Sequence, residues 1–473
     1  MSLKSIIYIS AFLLSFTGFT QRKDTERYSL DQCIAIALEN NLDLKSTTLR
    51  ANTALINHRQ AKANVLPSLN GNYNIGVNNG RSIDPFTNDF INQELTFSNA
   101  RLNLDATIFN GFRVLNTIKQ QRYNRQASEM EIEEAKQTLI LNVTLAYLQV
   151  LNQTDVLTLA KDRLVTTSKQ LKQQEDLYNE EFGNPADFAD IKGQKTIDET
   201  NILIAESSLN NAKLSLAQLM NIDTDISVDK GSILLDFKEY TFSSDDVFKD
   251  AMQNLATFKA QELRVKAAKK GIQVARAQYI PEISFFGQIN TNYSSVAETF
   301  TEIGTETIET GDFVTVNNEE LSVFTDQTQF RGESIEYLDQ FDNNLNTVVG
   351  IAVDIPLFNG FRAKNNVALE KIRAAESLIE LERTSQQVKN AIDQVHFDMQ
   401  TAYNRYQSLQ NQVTAFEESY RVNEIRFNNG VSNFIAYITS KNNLDNARTN
   451  LTNAQYEYLL RVKVLEFYRG KAL

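Results

Sequence analysis

The sequence holds no tryptophan, two histidines and one cysteine, with 17 glycines and five prolines in 473 residues. Each shortage excludes something. A lone cysteine, Cys33, cannot close an intramolecular disulfide. It stands inside a helical pattern as a buried structural thiol, too far past the N-terminal apolar run for lipid attachment. The histidines, His58 and His396, are far apart with no ligand-like spacing and read as ordinary helix residues. No nucleophile motif accompanies them. The sequence therefore names no catalytic residue, metal ligand or cofactor site, and the expectation is not an enzyme. Scarce glycine and proline permit long uninterrupted helices. With 42% hydrophobic and 22% charged residues, the chain still has the composition of one that buries a core.

Long apolar runs are equally scarce. The only one is Ile6–Phe19, 14 residues after Lys4. That is short of the roughly 20 residues a membrane-spanning helix needs. Gly18 and Thr20 stand three and one places before Gln21, as at a cleavage site, so residues 1–20 read as a secretory signal. The net charge of −12 is concentrated: Ser295–Asn344 carries 12 acidic residues against Arg331 alone, a local net of −11. This segment reads as a solvated surface loop. The remainder is near neutral and shows no basic patch for nucleic acid.

The chain is written twice. "IFNGFR" ends at Arg113 and "LFNGFR" at Arg362, 249 positions later. Upstream, a shift of 214 carries Asp31, Ala37, Asn40, Lys45 and Pro67 onto Asp245, Ala251, Asn254, Lys259 and Pro281. The 35 extra residues of the second copy fall in the acidic segment. Such duplication has to be recognised before any fold is assigned. The first repeat spans residues 21–221, a linker 222–243, and the second repeat 244–473.

Each repeat has the same order of parts. A helical segment (Asp31 to Leu66; Asp245 to Ile280) stops at a proline, which excludes the helical conformation of the residue before it. Two alternating stretches follow. Then come a very long helix (Arg113 to Glu180; Arg362 to Asn428), a glycine turn, and a last helix (Ala186 to Met220; Asn433 to Tyr468). The long helices carry a heptad row, Leu139, Val143, Ala146, Val150, Leu157, Ala160, Leu164, Leu171 and Tyr178, broken at Gln153, Thr167 and Gln174. Shifted by 249, the row holds a single polar residue, Asn423. A 3.5-residue period kept this long means coiled-coil packing.

The alternating stretches read as strands with one apolar and one polar face. Leu69, Tyr73, Ile75 and Val77 oppose Asn70, Asn72, Asn74 and Asn78. Ile283, Phe285, Ile289 and Tyr293 oppose Ser284, Gln288, Asn290 and Asn292, with Phe286 as an exception. Val349, Ile351 and Val353 mark the second return strand. In the first return strand Leu95 and Phe97 are odd-numbered while Leu102, Leu104 and Ile108 are even, which predicts a bulge near Asn99. The pattern suits a membrane β-barrel with a wet lumen or a soluble sandwich with a polar face. Four strands cannot close a membrane barrel, so two, three or four chains would have to pool eight, twelve or sixteen. The Phe-Asn-Gly-Phe-Arg turns then join strand to helix twice per chain. Gly111 and Gly360 permit a sharp turn, and Phe109, Phe112, Phe358 and Phe361 are placed at the lipid boundary, where aromatic girdles occur.

The doubled order, with "NVLPSL", "YIPEIS", "TIFNGFR", "PLFNGFR" and "NLTNAQYEYLL", resembles the TolC-type outer-membrane efflux family over Tyr28 to Tyr468. The resemblance implies a mainly α fold with transmembrane β. Long coiled-coil helices would form an α-barrel continuous with a trimeric twelve-stranded outer-membrane β-barrel, four strands per chain. The acidic segment near 295–344 becomes an extracellular loop. The function implied is a passive exit channel of a tripartite efflux or type I secretion system. Its place would be the Gram-negative outer membrane, extending into the periplasm. Its partners would be two further copies, a periplasmic adaptor and, through it, an inner-membrane pump. The alternative is a soluble periplasmic coiled-coil adaptor. The same resemblance puts the gate and adaptor contact at the turns around Gly183 and Gly430. There Phe427 matches an aromatic position and Asp190 an acidic one, with Asp187 nearby. Ser432 stands where gated members carry arginine, and Ala436 and Thr439 stand where they carry paired aspartates.

Overall fold

The computed structural model describes residues 27–471 apart from 85–87, 224–225, 233–236 and 318. The signal expected in residues 1–20 lies outside the described residues. The first half runs β1 (Arg27–Tyr28), α1 (Leu30–Asn40), α2 (Leu42–Ala63), β2 (Ser68–Asn78), β3 (Arg81–Ile83), β4 (Phe90–Asn92), β5 (Leu95–Asn110), α3 (Arg113–Asn179), α4 (Pro185–Met220) and β6 (Ser227–Val228). The second runs α5 (Ser244–Asn254), α6 (Ala256–Arg276), β7 (Glu282–Ser294), β8 (Glu298–Val316), β9 (Glu319–Ser334), α7 (Tyr337–Asn343), β10 (Asn346–Asp354), α8 (Arg362–Asn428) and α9 (Phe434–Tyr468). Two compact units result. One holds the residues up to Ala54, Asn124–Val265 and those from Ser377; the other holds Leu55–Tyr123 and Lys266–Glu376.

Both long helices are 67 residues and end within a residue of the heptad reading. The helix expected from Asp31 to Leu66 is instead two helices. Asn41 leaves helical geometry at ψ 127°, and its side-chain oxygen accepts from Leu44 N at 3.0 Å, capping α2. Leu255, 214 positions later, breaks the second copy in the same way at ψ 134°.

The helical unit has two cores that correspond at several positions. Cys33, Ala37, Val143, Val150 and Leu216 lie in the first. Their shifted counterparts Val247, Ala251, Ile392, Met399 and Leu465 lie in the second. Polar side chains tie each core to backbone outside the helices, and in the second core Tyr458 also donates to the Lys238 carbonyl. The buried Tyr147 hydroxyl lies 2.9 Å from the Tyr28 carbonyl and 2.7 Å from that of Asp229, and accepts from Asp229 N at 3.0 Å. Tyr28 and Asp229 adjoin the parallel pairing of β1 with β6. His396 takes the equivalent place, its Nε2 donating to the Phe242 carbonyl at 3.0 Å.

The strand unit holds a four-stranded antiparallel sheet in the order β10-β7-β5-β2. Its ladders place Leu69, Tyr73 and Ile75, Leu102 and Leu104, Ile289 and Tyr293, and Val349, Ile351 and Val353 on one face. The expected bulge near Asn99 is absent. Asn99 pairs regularly with Asn74 and Asn292, and the register shifts at Thr107/Phe109 instead. Leu95 and Phe97 belong to the opposite face. There the Phe97 ring covers Gly76, where a Cβ would sit 2.9 Å from the ring. Phe286 covers Gly350 in the same way at 2.7 Å. Aromatic rings laid over strand glycines explain both exceptions to the alternation.

The acidic segment is not a loop. It is mainly a long antiparallel hairpin, β8 against β9, followed by α7. Gln340 of α7 rivets its base. Its amide nitrogen donates to the carbonyls of Ser294 (3.0 Å) and Ile335 (2.9 Å), and its oxygen accepts from Ser294 N at 2.9 Å.

The duplicated turns are alike in detail. Gly111 and Phe112 lie at φ +63° and +64°, and Gly360 and Phe361 at +62° and +61°. Phe109–Phe112 and Phe358–Phe361 meet edge to face at 5.3 and 5.6 Å. Asn110 caps α3 through Val114 N at 3.2 Å, and Asn359 caps α8 through Ala363 N at 3.5 Å. Surroundings separate them: a Cβ on Gly111 would lie 2.7 Å from Ile280 Cβ, whereas nothing lies within 4 Å at Gly360.

Gly360→Ala should therefore cost about 1 kcal/mol, the left-handed strain alone. Gly111→Ala should cost roughly 2–4 kcal/mol, strain plus overpacking. Denaturant titration of the two variants checks the difference. Burial also pushes the Cys33 thiol up to about 11. Native protein at neutral pH should resist thiol reagents that label it once unfolded. Because the unfolded thiol ionises first, near pH ~8.5, this group's contribution is full below that pH and is lost toward about 11. Equilibrium unfolding of wild type against Cys33→Ala across that range reads it out.

Candidate functional site

Two sharp turns end the long helices. At the first, the N–H groups of Phe182 and Gly183 donate to the Leu177 carbonyl at 3.0 and 2.9 Å. Glu181 takes φ +65°. A Cβ on Gly183 would lie 2.7 Å from Tyr178 N, so only glycine fits. Asn184 then caps α4 through Ala186 N at 3.0 Å with Pro185 at the first helical position. At the second turn Gly430 takes φ +70°. The N–H groups of Val431 and Ser432 donate to the Arg426 carbonyl at 2.8 and 3.2 Å. Asn433 caps α9 through Ala436 N at 2.9 Å.

The expected site residues distribute unevenly over these turns. Phe427 packs among aromatic rings. It stacks on Tyr437 at 4.9 Å and 15°, and lies 5.9 Å from Phe434. These rings form a cluster with buried Ile191 and with Tyr420. Ser432 and Ala436 are half-buried and Thr439 is exposed. Asp187 is half-buried, while Glu180, Glu181 and Asp190 are exposed. Phe188, beside Asp187, stacks on Tyr178 at 5.1 Å.

The heptad reading missed the polar partners of this cluster. Tyr420 donates to Glu424 at 2.8 Å and lies 3.4 Å from the Tyr437 hydroxyl, while Gln170 donates to Tyr437. Burial pushes both tyrosine hydroxyls above the ordinary phenol range, with Glu424 adding to the rise for each. Both therefore stay neutral donors at physiological pH. Higher along the helices, Asp198 is fully buried and receives Thr167 Oγ1 at 2.5 Å and Gln194 Nε2 at 2.9 Å, with Arg163 Nε at 2.7 Å. In the sequence Thr167 marks only a skipped heptad step.

Among the described residues no group of three or more His, Cys, Asp or Glu could hold a metal ion. No described helix is long and apolar enough to cross a membrane. What the site offers is a pair of helical hairpins closed by aromatic packing.

The outer membrane efflux protein model matches residues 33–221 and 247–471, one stretch in each repeat. Toxin and drug export protein A of Aggregatibacter actinomycetemcomitans is 20% identical over 441 residues, covering 91% of this chain and 83% of its own. Outer membrane protein TolC of Escherichia coli strain K12 is 21% identical over 457 residues, covering 94% and 83%. Among solved structures, CusC superposes with a TM-score of 0.75 at 17% identity, covering 94% and 93%. VceC of Vibrio cholerae superposes at 0.71 and 17%, covering 94% and 96%. Family and structural neighbours are transport channels. With both repeats matched, the chain belongs to the outer membrane efflux protein family.

Proposed function

We propose that the chain is one third of a passive exit duct through the outer membrane and periplasm, working with a periplasmic adaptor and an inner-membrane pump. The observation that carries this reading is the sheet. It has four strands, β2 and β10 are its unpaired edges, and its apolar face is bare. Ile75 and Val349 on that face are 66% and 69% exposed. Hydrocarbon tolerates neither open edges nor unpaired backbone. Three copies, each joining β10 to the next β2, would close twelve strands, and two would reach only the eight of the smallest membrane barrels.

The sheet has suitable dimensions. From Ile283 to Tyr293, β7 advances roughly 33 Å, which at a tilt near ~40° spans about 25 Å, the height of an outer-membrane apolar band. Phenylalanines at the strand-to-helix turns mark one border of that band. Tyr73, Tyr293 and Tyr337 mark the other, the last two with ring centroids 4.7 Å apart.

The turns at Gly183 and Gly430 would form the periplasmic mouth, with Phe427 in the closure and Asp187 and Asp190 on the adaptor side. Ser432, Ala436 and Thr439 provide no charges there, so closure in this chain would depend on the aromatic cluster. The duct supplies passage, and its partners supply energy.

Light scattering of the purified mature protein, with and without detergent, tests the assembly. A detergent-dependent trimer is expected. A detergent-free monomer or dimer would overturn the barrel and leave the soluble adaptor. Val349→Pro, which cannot donate along β10, should shift the trimer toward monomer in detergent.

A further inference from the structure

Both copies of the Phe-Asn-Gly-Phe-Arg turn deliver their asparagine and arginine to one place. A cavity of about 470 Å³ in the strand unit is lined by Asn110 and Arg113 from the first turn and by Asn359 and Arg362 from the second. Glu282 and Asp354 add two carboxylates to its wall. The ladders set Glu282 beside Asn110 on one side and beside Asp354 on the other. Alternation puts Glu282 and Asp354 on the sheet face of Ser284, Gln288 and Asn290, opposite the apolar face. The turn needs its glycine for φ and its asparagine for the cap, but not its arginine. Arg113 and Arg362 are the first residues of α3 and α8. The positive end of a helix dipole disfavours a cation at that position, yet both copies carry one.

Pairing inside the cavity is incomplete. Arg113 meets Glu282 at 3.2 Å. Arg362 donates from Nε to the Asn359 carbonyl at 3.1 Å. Neither Arg362 nor Asp354 forms an ion pair among the described residues. Asn110 is only 7% exposed. Its Oδ1 accepts from Val114 N at 3.2 Å, which fixes the orientation of the amide. Its Nδ2 has no partner among the described residues. A buried amide donor left unpaired is costly, and an acceptor on a ligand would relieve that cost. Elsewhere on the wall the amides are paired, with Asn366 Nδ2 donating to Gln278 Oε1 at 3.0 Å. The groups still unmatched are one amide donor, one guanidinium and one carboxylate. A ligand carboxylate suits Asn110 and Arg362, next to two helix N-termini. A ligand ammonium suits Asp354.

We propose that this cavity binds small zwitterions carrying a carboxylate and an ammonium group, the class of amino acids and short peptides. Asn110 Nδ2 and Arg362 take the carboxylate, and Asp354 takes the ammonium. Glu282, held by Arg113, lies between Asn110 and Asp354 in the ladder and keeps the two poles apart. The site opens on the polar face of the sheet, so in the proposed duct it lies in the path of cargo. That placement rests on the duct reading; the binding itself does not.

Isothermal titration calorimetry of the purified mature protein in detergent, with dialanine as the probe, tests the site. N-acetyl-dialanine lacks the ammonium and dialanine amide lacks the carboxylate. Dialanine should bind saturably, and each one-charge probe should bind about tenfold more weakly, the loss of one charge-assisted contact. Asp354→Asn should abolish the advantage of dialanine over its acetylated form. Arg362→Gln should abolish its advantage over the amide. Asn110→Asp keeps an oxygen to cap Val114 N but loses the donor. It should weaken both carboxylate probes about tenfold without weakening dialanine amide. No saturable binding, equal binding of the three probes, or affinities that Asp354→Asn and Arg362→Gln leave unchanged would overturn the site. Single-channel recording in planar bilayers separates the site from the duct. Dialanine should depress the open-channel current of wild type but not of Asp354→Asn. Binding without any effect on current would overturn the placement in the cargo path and spare the site. Ordinary conductance without binding would overturn the site and spare the duct.

Discussion

A backbone amide in hydrocarbon finds its partner in another backbone or not at all. Strands β2 and β10 each present a free edge, and the face between them is apolar. Most of the architecture follows from that constraint. In the proposed duct, a sheet too narrow to close on itself requires copies, and copies arranged around an axis require that each chain present the same edges. Two strand pairs per chain, with return turns of one design, are what a duplicated sequence supplies. The turn geometry repeats within a few degrees because both copies pass from a strand into a 67-residue helix at that point.

Duplication also shows where the copies have parted. The cores share several positions, but Cys33 stands opposite Val247, Tyr147 opposite His396, and the buried Leu148 opposite Phe397, which is exposed. Tyrosine and histidine differ in size, yet each can donate to a backbone carbonyl. The divergence is greater outside the cores. The second copy alone carries the acidic hairpin, mounted through a glutamine that satisfies three backbone groups of its surroundings. An insertion anchored in that way keeps its orientation, which a loop held only at its ends would not.

Periodicity made the helices and the strand faces readable, because both are one-dimensional facts repeated many times. It failed where a side chain answers a neighbour on another strand. Leu95 and Phe97 break the alternation because Phe97 lies over a glycine on β2, and no count along β5 contains Gly76. The left-handed Phe112 and Phe361 were missed for a related reason. Their strain is held by edge-to-face rings and an asparagine cap, not by glycine chemistry. At the candidate site, glycine, proline and asparagine announced the turns. The stack of Phe427 on Tyr437 needed α8 and α9 side by side. The polar layer left only the skipped heptad step at Thr167, which looks like a fault in the seam until Asp198 arrives from α4.

The first core joins distant parts of the chain. It takes Leu30 and Cys33 from the first helix, Ile226 from beside the linker strand and Tyr456 and Leu459 from the last helix. Arg27 pairs with Ser227 across 200 positions. Contacts of such separation are slow to form, since loop closure precedes any gain from burial. An N-terminal segment emerging first into a new compartment would find its partners still unmade behind it. Holding the chain soluble during that interval, and away from premature strand pairing along β2, then falls to chaperones of the compartment rather than to the fold.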